Sequence, residues 1–340
     1  MGGITMKKIF LACCLIGLII LSPLASASAA GNLRIGSAAV GSLLYVFSAA
    51  IAEVTAKHAG IKMEVLPQGE ILTLPLMATQ EVDLVMIAND AQGYAYEGKG
   101  IYERQTKGKG FDLRVLMLGM RNSASTVVTG DSGFKDYQAL KGKRLVLDYG
   151  TQQALNLGSR ASLIAGGLTE KDVIVLKASD IPEAVRLLME GKADAVFGGI
   201  GVPVFRELSA ARNGILYLEA GDKHWDDVHK ISKAYFPMTV KKGPPGILKD
   251  TVLVTRNFNL ASRPDLPEDT AYQIVKAVWE HDTELGPHHP QLKDWVKERF
   301  VGEQTTAPYH PGAIKFYKEQ GVWSDKMQAR QDELLKMKKR

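Results

Sequence analysis

From residue 31 onward, short runs of consecutive apolar residues alternate with stretches where apolar side chains recur every three or four positions. The first kind predicts strands buried on both faces and the second predicts helices with one face in a core. The opening is the clearest case. Residues 33–35 form an apolar run, and a loop of small residues follows, Gly36-Ser37-Ala38-Ala39-Val40-Gly41-Ser42. From Leu43, the residues Phe47, Ala50, Ile51 and Val54 share one helical face. A strand, a tight loop and a helix start in this order aim free backbone N–H groups above a sheet, which suits a carboxylate or another acceptor-rich ligand. An ordinary βα turn without a ligand has the same pattern. Neither G-x-G-x-x-G nor the Walker lysine pattern is present.

The pattern continues with strands predicted at 62–66, 82–87 and 113–118 and helices over 74–78 and 91–96. From about residue 125 the alternation starts afresh. Strands are expected at 126–129, 145–147, 172–176, 193–197 and 215–218, with helices over 151–165, 181–190 and 202–212. Residues 237–255 are strand-like and punctuated by Gly and Pro, and helices are expected over 268–282, 291–300 and 313–320. This is an α/β chain whose parallel sheets are flanked by helices. We read two lobes, one of residues 31–122 plus 222–340 and the other of residues 123–221. Ligands of open α/β sheets bind beyond the carboxyl ends of the strands, so two lobes would share a cleft whose closure buries a small ligand.

The first thirty residues change the picture. Met6-Lys7-Lys8 is a positive n-region, residues 9–21 are apolar, and Ala25-Ser26-Ala27-Ser28-Ala29-Ala30 is a small-residue cleavage region. Residues 1–30 read as a cleavable signal peptide, so a periplasmic location is expected. An apolar run of about thirteen residues is short for a spanning helix, which needs about twenty. Both cysteines, Cys13 and Cys14, lie in this segment, so a mature chain would have no disulfide, thiolate metal site or cysteine nucleophile. Removing the segment takes away Lys7 and Lys8 and no acid, and the net charge falls from +5 to +3. The bases are scattered apart from Lys336 to Arg340, which argues against nucleic acid as a partner.

Several motifs together resemble the TAXI family, the substrate-binding proteins of a class of TRAP transporters. Ile35-Gly36-Ser37, Gly41, Tyr45 and Ile51-Ala52-Glu53 follow the opening of that family, with Ser42 and Leu44 departing from its usual Gly and Tyr. Leu140-Lys141-Gly142-Lys143-Arg144, the stretch from Glu183-Ala184 to Ala195, and the turn from Gly199 to Pro203 continue the likeness. His310-Pro311-Gly312-Ala313-Ile314 with Phe316-Tyr317 is its most specific part. The resemblance implies the two-lobed type II periplasmic-binding-protein fold. It also implies capture of a small organic solute, a carboxylate or an amino-acid-like compound, and delivery to a TRAP-type membrane permease by a monomer. It implies no cofactor. A ligand-sensing protein that signals to a membrane receptor is the alternative, and a periplasmic enzyme on the same fold is a weaker one.

Candidate ligand-binding residues lie at strand ends. Ser42 and Tyr45 follow the first strand, although Tyr45 also suits packing between helix and sheet. Gln68 and Glu70 stand where the resembled family has G-G-S. A buried carboxylate there is costly, so Glu70 is expected to face solvent, with pairing to Arg121 or to a ligand amino group as alternatives. Asn89 ends the third strand as a ligand candidate, while Asp90 is expected to cap the next helix. Ser125 lies at the crossing between lobes. Tyr149, Thr151, Gln152 and Gln153 open a helix whose N–H groups suit a carboxylate. Gly199 belongs to a closing loop, and Phe236 either lines the cleft or packs in the core. His281, His288, His289 and His310 lack the helix-facing H-E-x-x-H spacing, so no metal site is assigned. No G-x-S-x-G elbow is present and no catalytic residue is assigned.

Overall fold

In the computed structural model, which describes residues 32–338, the first apolar run is strand β1 (Leu33–Ser37), followed by helix α1 (Leu43–Ala59). Ser42 caps α1 by accepting from the Tyr45 N–H, and Gly60 ends it in the left-handed region at φ 66°. Leu43, Phe47, Ala50, Ile51 and Val54 are buried, which is the face the spacing predicted. β2 (Met63–Pro67), α2 (Glu70–Ala78), β3 (Leu84–Ala88), α3 (Asn89–Glu97) and α4 (Ile101–Thr106) complete the first stretch. The expected signal peptide, residues 1–30, lies outside the described residues.

β4 (Arg114–Thr129) is one long strand where the sequence pattern predicted two. Its polar residues Arg121, Asn122 and Ser123 look like a break, yet all three keep their ladder partners on β10 (Thr251–Ser262). Between these strands come β5 (Arg144–Asp148), α5 (Gln153–Ala165), β6 (Ile174–Lys177), α6 (Ile181–Met189), β7 (Val196–Gly199), α7 (Val204–Ala211), β8 (Ile215–Tyr217), α8 (Trp225–Ile231) and β9 (Phe236–Val240). The chain ends with α9 (Glu268–Glu280), α10 (Pro311–Glu319) and α11 (Asp325–Lys338).

The sheet order explains the two lobes. β2-β1-β3-β10-β4 forms one sheet, with β1 parallel to β2 and β3, and β10 antiparallel to both β3 and β4. A 2-1-3 order with an antiparallel return strand before the fourth is the type II periplasmic-binding-protein arrangement. The far half of β4 pairs with β7 and β8, and the start of β10 pairs with β9. β5 lies parallel to β6 and touches Ala195, just before β7. β4 and β10 therefore run side by side from one lobe into the other, with register shifts at Asn257–Asn259 and Leu260–Ala261. The large sheet is mixed, where the alternation of elements predicted a parallel one, and the β5-β6 sheet is parallel as expected.

Two further expectations are corrected. Residues 291–300 are not a helix but two short 3₁₀ turns, Pro290–Asp294 and Lys297–Arg299. The break between them lets Trp295 enter the core, fully buried, with its ring 6.2 Å from that of Phe47. Gly198-Gly199, expected to begin a loop, is the end of β7 and pairs with Ser125 and Ala124. Among the described residues no helix is long and apolar enough to cross a membrane.

Candidate functional site

The site is built where β4 and β10 cross between the lobes. Asn122 on β4 is register partner to Arg256 on β10. Both flank a cavity of about 60 Å³. Ser42, Leu43 and Leu44 reach it from the start of α1, and Gln152, Ala154 and Leu155 from the start of α5. Phe197 and Gly199 come from β7, and Phe258 from β10. The walls are thus mostly aliphatic and aromatic, with Arg256, Asn122, Gln152 and Ser42 as the polar residues among them. Small-ligand pockets ordinarily exceed about 300 Å³, so a ligand of amino-acid size requires the lobes to part.

Arg256 is the site's buried cation, 3% exposed. Its guanidinium lies 5.8 Å from the Phe197 and Tyr235 ring centroids and 5.9 Å from that of Phe258. Its counter-ion is Asp90, fully buried, with Arg256 Nε 3.4 Å from Asp90 Oδ1. Arg256 Nη1 also donates to Asp90 Oδ2 at 3.4 Å and to the Tyr235 hydroxyl at 3.3 Å. Tyr235 in turn donates to Asp90. Burial opposes the charge on Arg256, yet Asp90 and Tyr235 outweigh it and raise its pKa. The same burial pushes the Tyr235 hydroxyl well above its ordinary value, with Asp90 adding to it. Gly158 on α5 leaves room for this arginine, because a Cβ there would lie 2.3 Å from Arg256 Nη1. Asn122 Nδ2 is a buried donor without a hydrogen-bond partner, and Arg256 Nε faces only Asp90 Oδ1, at 3.4 Å. A buried cation and an unpartnered amide donor beside one cavity suit an acceptor-rich ligand.

The second feature is Glu70. Expected to face solvent, it is 5% exposed and joins the lobes. It opens α2 in one lobe, and its Oε1 accepts from the Ala154 N–H of α5 in the other at 2.7 Å. One carboxyl is thus shared between the N-termini of two helices, each of which favours negative charge. Burial nevertheless dominates and raises its pKa from 4.5 to about 7, against the hydrogen bonds from Ala154 and from its own N–H. Asp90 raises it further and Arg256 lowers it. The α5 start, which the sequence offered to a ligand carboxylate, is therefore already met by a carboxyl of the protein. Next to it the lobes touch through backbone. A Cβ on Gly69 would lie 2.7 Å from the Thr151 carbonyl oxygen, which only glycine avoids. In a separate pocket, His289 Nε2 lies 3.1 Å from the Gly201 carbonyl, and Gln291 donates to the Ile200 carbonyl. Burial lowers the pKa of His289.

Of the residues singled out in the sequence, Ser42, Gln152 and Gly199 line the cavity. Tyr45 is half-buried outside its lining, and its N–H serves the α1 cap. Asn89 is consumed by structure, because its Nδ2 donates to the Gln304 carbonyl while its Oδ1 accepts from Asn259 and Thr306. Ser125 is held by Tyr137 and the Leu218 carbonyl, and the Tyr149 hydroxyl by the backbone of Phe197. Thr151 lies at the contact with Gly69. Gln68 Nε2 and Gln153 Oε1 are buried without partners, away from the cavity lining. Phe236 lines a separate groove with Tyr94 and His229. Asp90, expected to cap a helix, is not the cap. α3 already begins at Asn89, and the Asp90 side chain turns to Tyr235 and Arg256. Arg256 and Asn122 were missed. Their signal is a charge and an amide within runs otherwise apolar enough to be buried on both faces.

The NMT1-like family profile matches residues 35–321. A mutant of ArgBP from T. maritima is similar in structure, with 15% identity, 78% of this chain and 95% of that chain covered, and a TM-score of 0.47. AbpA from Streptococcus pneumoniae, an amino acid ABC transporter substrate-binding protein bound to L-arginine, shares 10% identity over 78% of this chain and 95% of its own, with a TM-score of 0.48. A double mutant of the Bordetella pertussis BvgS VFT2 domain shares 15% identity over 77% and 92%, with a TM-score of 0.45.

Proposed function

We propose, from the premise that this chain belongs to the NMT1-like family, that it captures a small organic solute between its lobes outside the cytoplasmic membrane. The solute is a carboxylate or an amino-acid-like compound, and the loaded protein delivers it to a membrane permease. The observation that carries this reading is the buried Arg256 cation with the unpartnered buried donor Asn122 Nδ2, beside one cavity at the crossing strands. A ligand carboxylate supplies the acceptor that Asn122 Nδ2 lacks and a charge opposite to that of Arg256, and the apolar walls receive its carbon skeleton. Closure over the ligand follows from tighter binding to the closed arrangement than to the open one. Capture and release, not turnover, is the proposed activity. A TRAP-type permease is the proposed recipient, supported by the motifs around Gly36 and His310.

A thermal-shift screen tests the reading. Amino acids, oxo acids and short carboxylic acids are added one at a time to the protein lacking residues 1–30. The proposal expects at least one acid to raise the unfolding midpoint, and its amide or ester to be inert. Stabilisation by no carboxylate, or equal stabilisation by acid and amide, would overturn the carboxylate assignment.

A further inference from the structure

Far from the cavity, the C-terminal end of α1 meets the C-terminal end of α9. His58 comes from α1, His281 follows α9, and Glu284 lies in the short turn Asp282–Leu285. The two imidazoles stack with ring centroids 3.4 Å apart and planes 8° from parallel. Both aim a ring nitrogen at the same carboxylate oxygen. His58 Nε2 is 3.0 Å and His281 Nδ1 3.5 Å from Glu284 Oε1. The other oxygen, Oε2, is held by Lys57 Nζ at 2.8 Å. The three side chains are partly exposed, so solvent ions reach them.

We propose that His58, His281 and Glu284 form a binding site for one zinc-like divalent cation. A tetrahedral Zn²⁺ site with bonds of about 2.0–2.1 Å places its ligand atoms about 3.3 Å apart. The observed 3.0 and 3.5 Å separations bracket that edge, and the donor atoms of all three residues lie within 4.8 Å of one another. Two imidazoles and a carboxylate suit zinc, cobalt or nickel rather than magnesium or calcium, which prefer oxygen. A water completes the fourth position. The ion would tie the end of α1 to the turn after α9, with His58 and Glu284 standing 226 residues apart in the chain. The sequence hid this site, because His281 stands among the histidines of residues 281–310 while the decisive partner, His58, stands far upstream.

The test uses the untagged chain without its first thirty residues. Calorimetric titration with zinc chloride and the visible absorption of added Co²⁺ are read together. The expected result is one Zn²⁺ per chain, a tetrahedral Co²⁺ band, and no response to Mg²⁺. His58→Asn and Glu284→Gln should each weaken zinc binding by about tenfold or more and abolish the band, whereas His288→Asn should leave both unchanged. Each variant is first checked for a parent-like circular dichroism spectrum, and Glu284→Gln decides if His58→Asn does not fold. Absence of stoichiometric uptake, or uptake unchanged in His58→Asn and Glu284→Gln, would overturn the site. Loss of uptake in His288→Asn would overturn the ligand set.

Discussion

Replacing Glu70 by Gln should stabilise this protein at neutral and alkaline pH and do so less as the pH falls. The Glu70 carboxyl lies between α2 and α5, and its pKa rises from 4.5 to about 7. The folded chain then holds this proton more tightly than the unfolded chain, so unfolding releases it between those two values. Its contribution to stability is intact below about pH 4.5 and is lost as pH rises through about 7. At roughly 1.4 kcal/mol for each pH unit between the two values, the loss is about 3 kcal/mol. The amide introduced by Glu70→Gln keeps the side-chain oxygen that accepts from Ala154 but never ionises. Its extra N–H₂ adds a cost of about 1–3 kcal/mol if unpaired, and that cost is the same at every pH. His289 and His310 complicate the parent curve, because burial lowers the pKa of both and their protonation costs stability below about pH 6.5. Variant and parent share that cost, so the readout is the difference between them. Denaturant unfolding followed by tryptophan fluorescence at several pH values from about 5 to 8 measures it. The reasoning predicts a difference that grows in favour of Glu70→Gln by about 2–3 kcal/mol across this range. A difference constant within about 0.5 kcal/mol would refute it.

The other expectations concern the same interface. Arg256→Met leaves Asp90 buried and uncompensated, and should cost about 3–5 kcal/mol in denaturant unfolding. Adding Asp90→Asn should recover part of that loss, and a double variant no more stable than Arg256→Met would contradict the pairing. Gly69→Ala places a Cβ 2.7 Å from the Thr151 carbonyl. It should hold the lobes apart, seen as a larger radius of gyration in X-ray scattering and weaker solute binding with an unfolding midpoint near that of the parent. Tyr149→Phe removes a buried hydroxyl that serves both the N–H and the carbonyl of Phe197. It should cost about 1–3 kcal/mol by thermal or denaturant unfolding.

The elements with strong local signals were legible. α1 has its cap at Ser42, its buried stripe and its stop at Gly60, all within one stretch of sequence. His310 also behaves as a local motif. Its Nδ1 accepts from the Gly312 N–H and its Nε2 meets the Leu266 carbonyl, so the resembled H-P-G-A motif starts a helix and stands away from the cavity lining. What was not legible depends on distant partners. β4 reads as two strands because Arg121, Asn122 and Ser123 are polar, and only the ladder with β10 makes them one. The 291–300 stretch has helical spacing, but burying Trp295 against Phe47 requires a break. Glu70 reads as a surface residue because nothing nearby in sequence reveals that the α5 start, more than eighty residues on, arrives to meet it. Asp90 has the position of a cap, and its true partner, Arg256, is 166 residues away.

The central claim is that Arg256 and its neighbours hold a small acid between the lobes. Native mass spectrometry of the gently purified protein lacking residues 1–30, before and after denaturation, tests it most directly. The account predicts one small carboxylic or amino acid per chain, released on denaturation and retained far less by a folded Arg256→Lys variant. A ligand without a carboxylate, or an acid retained equally by parent and variant, would contradict it.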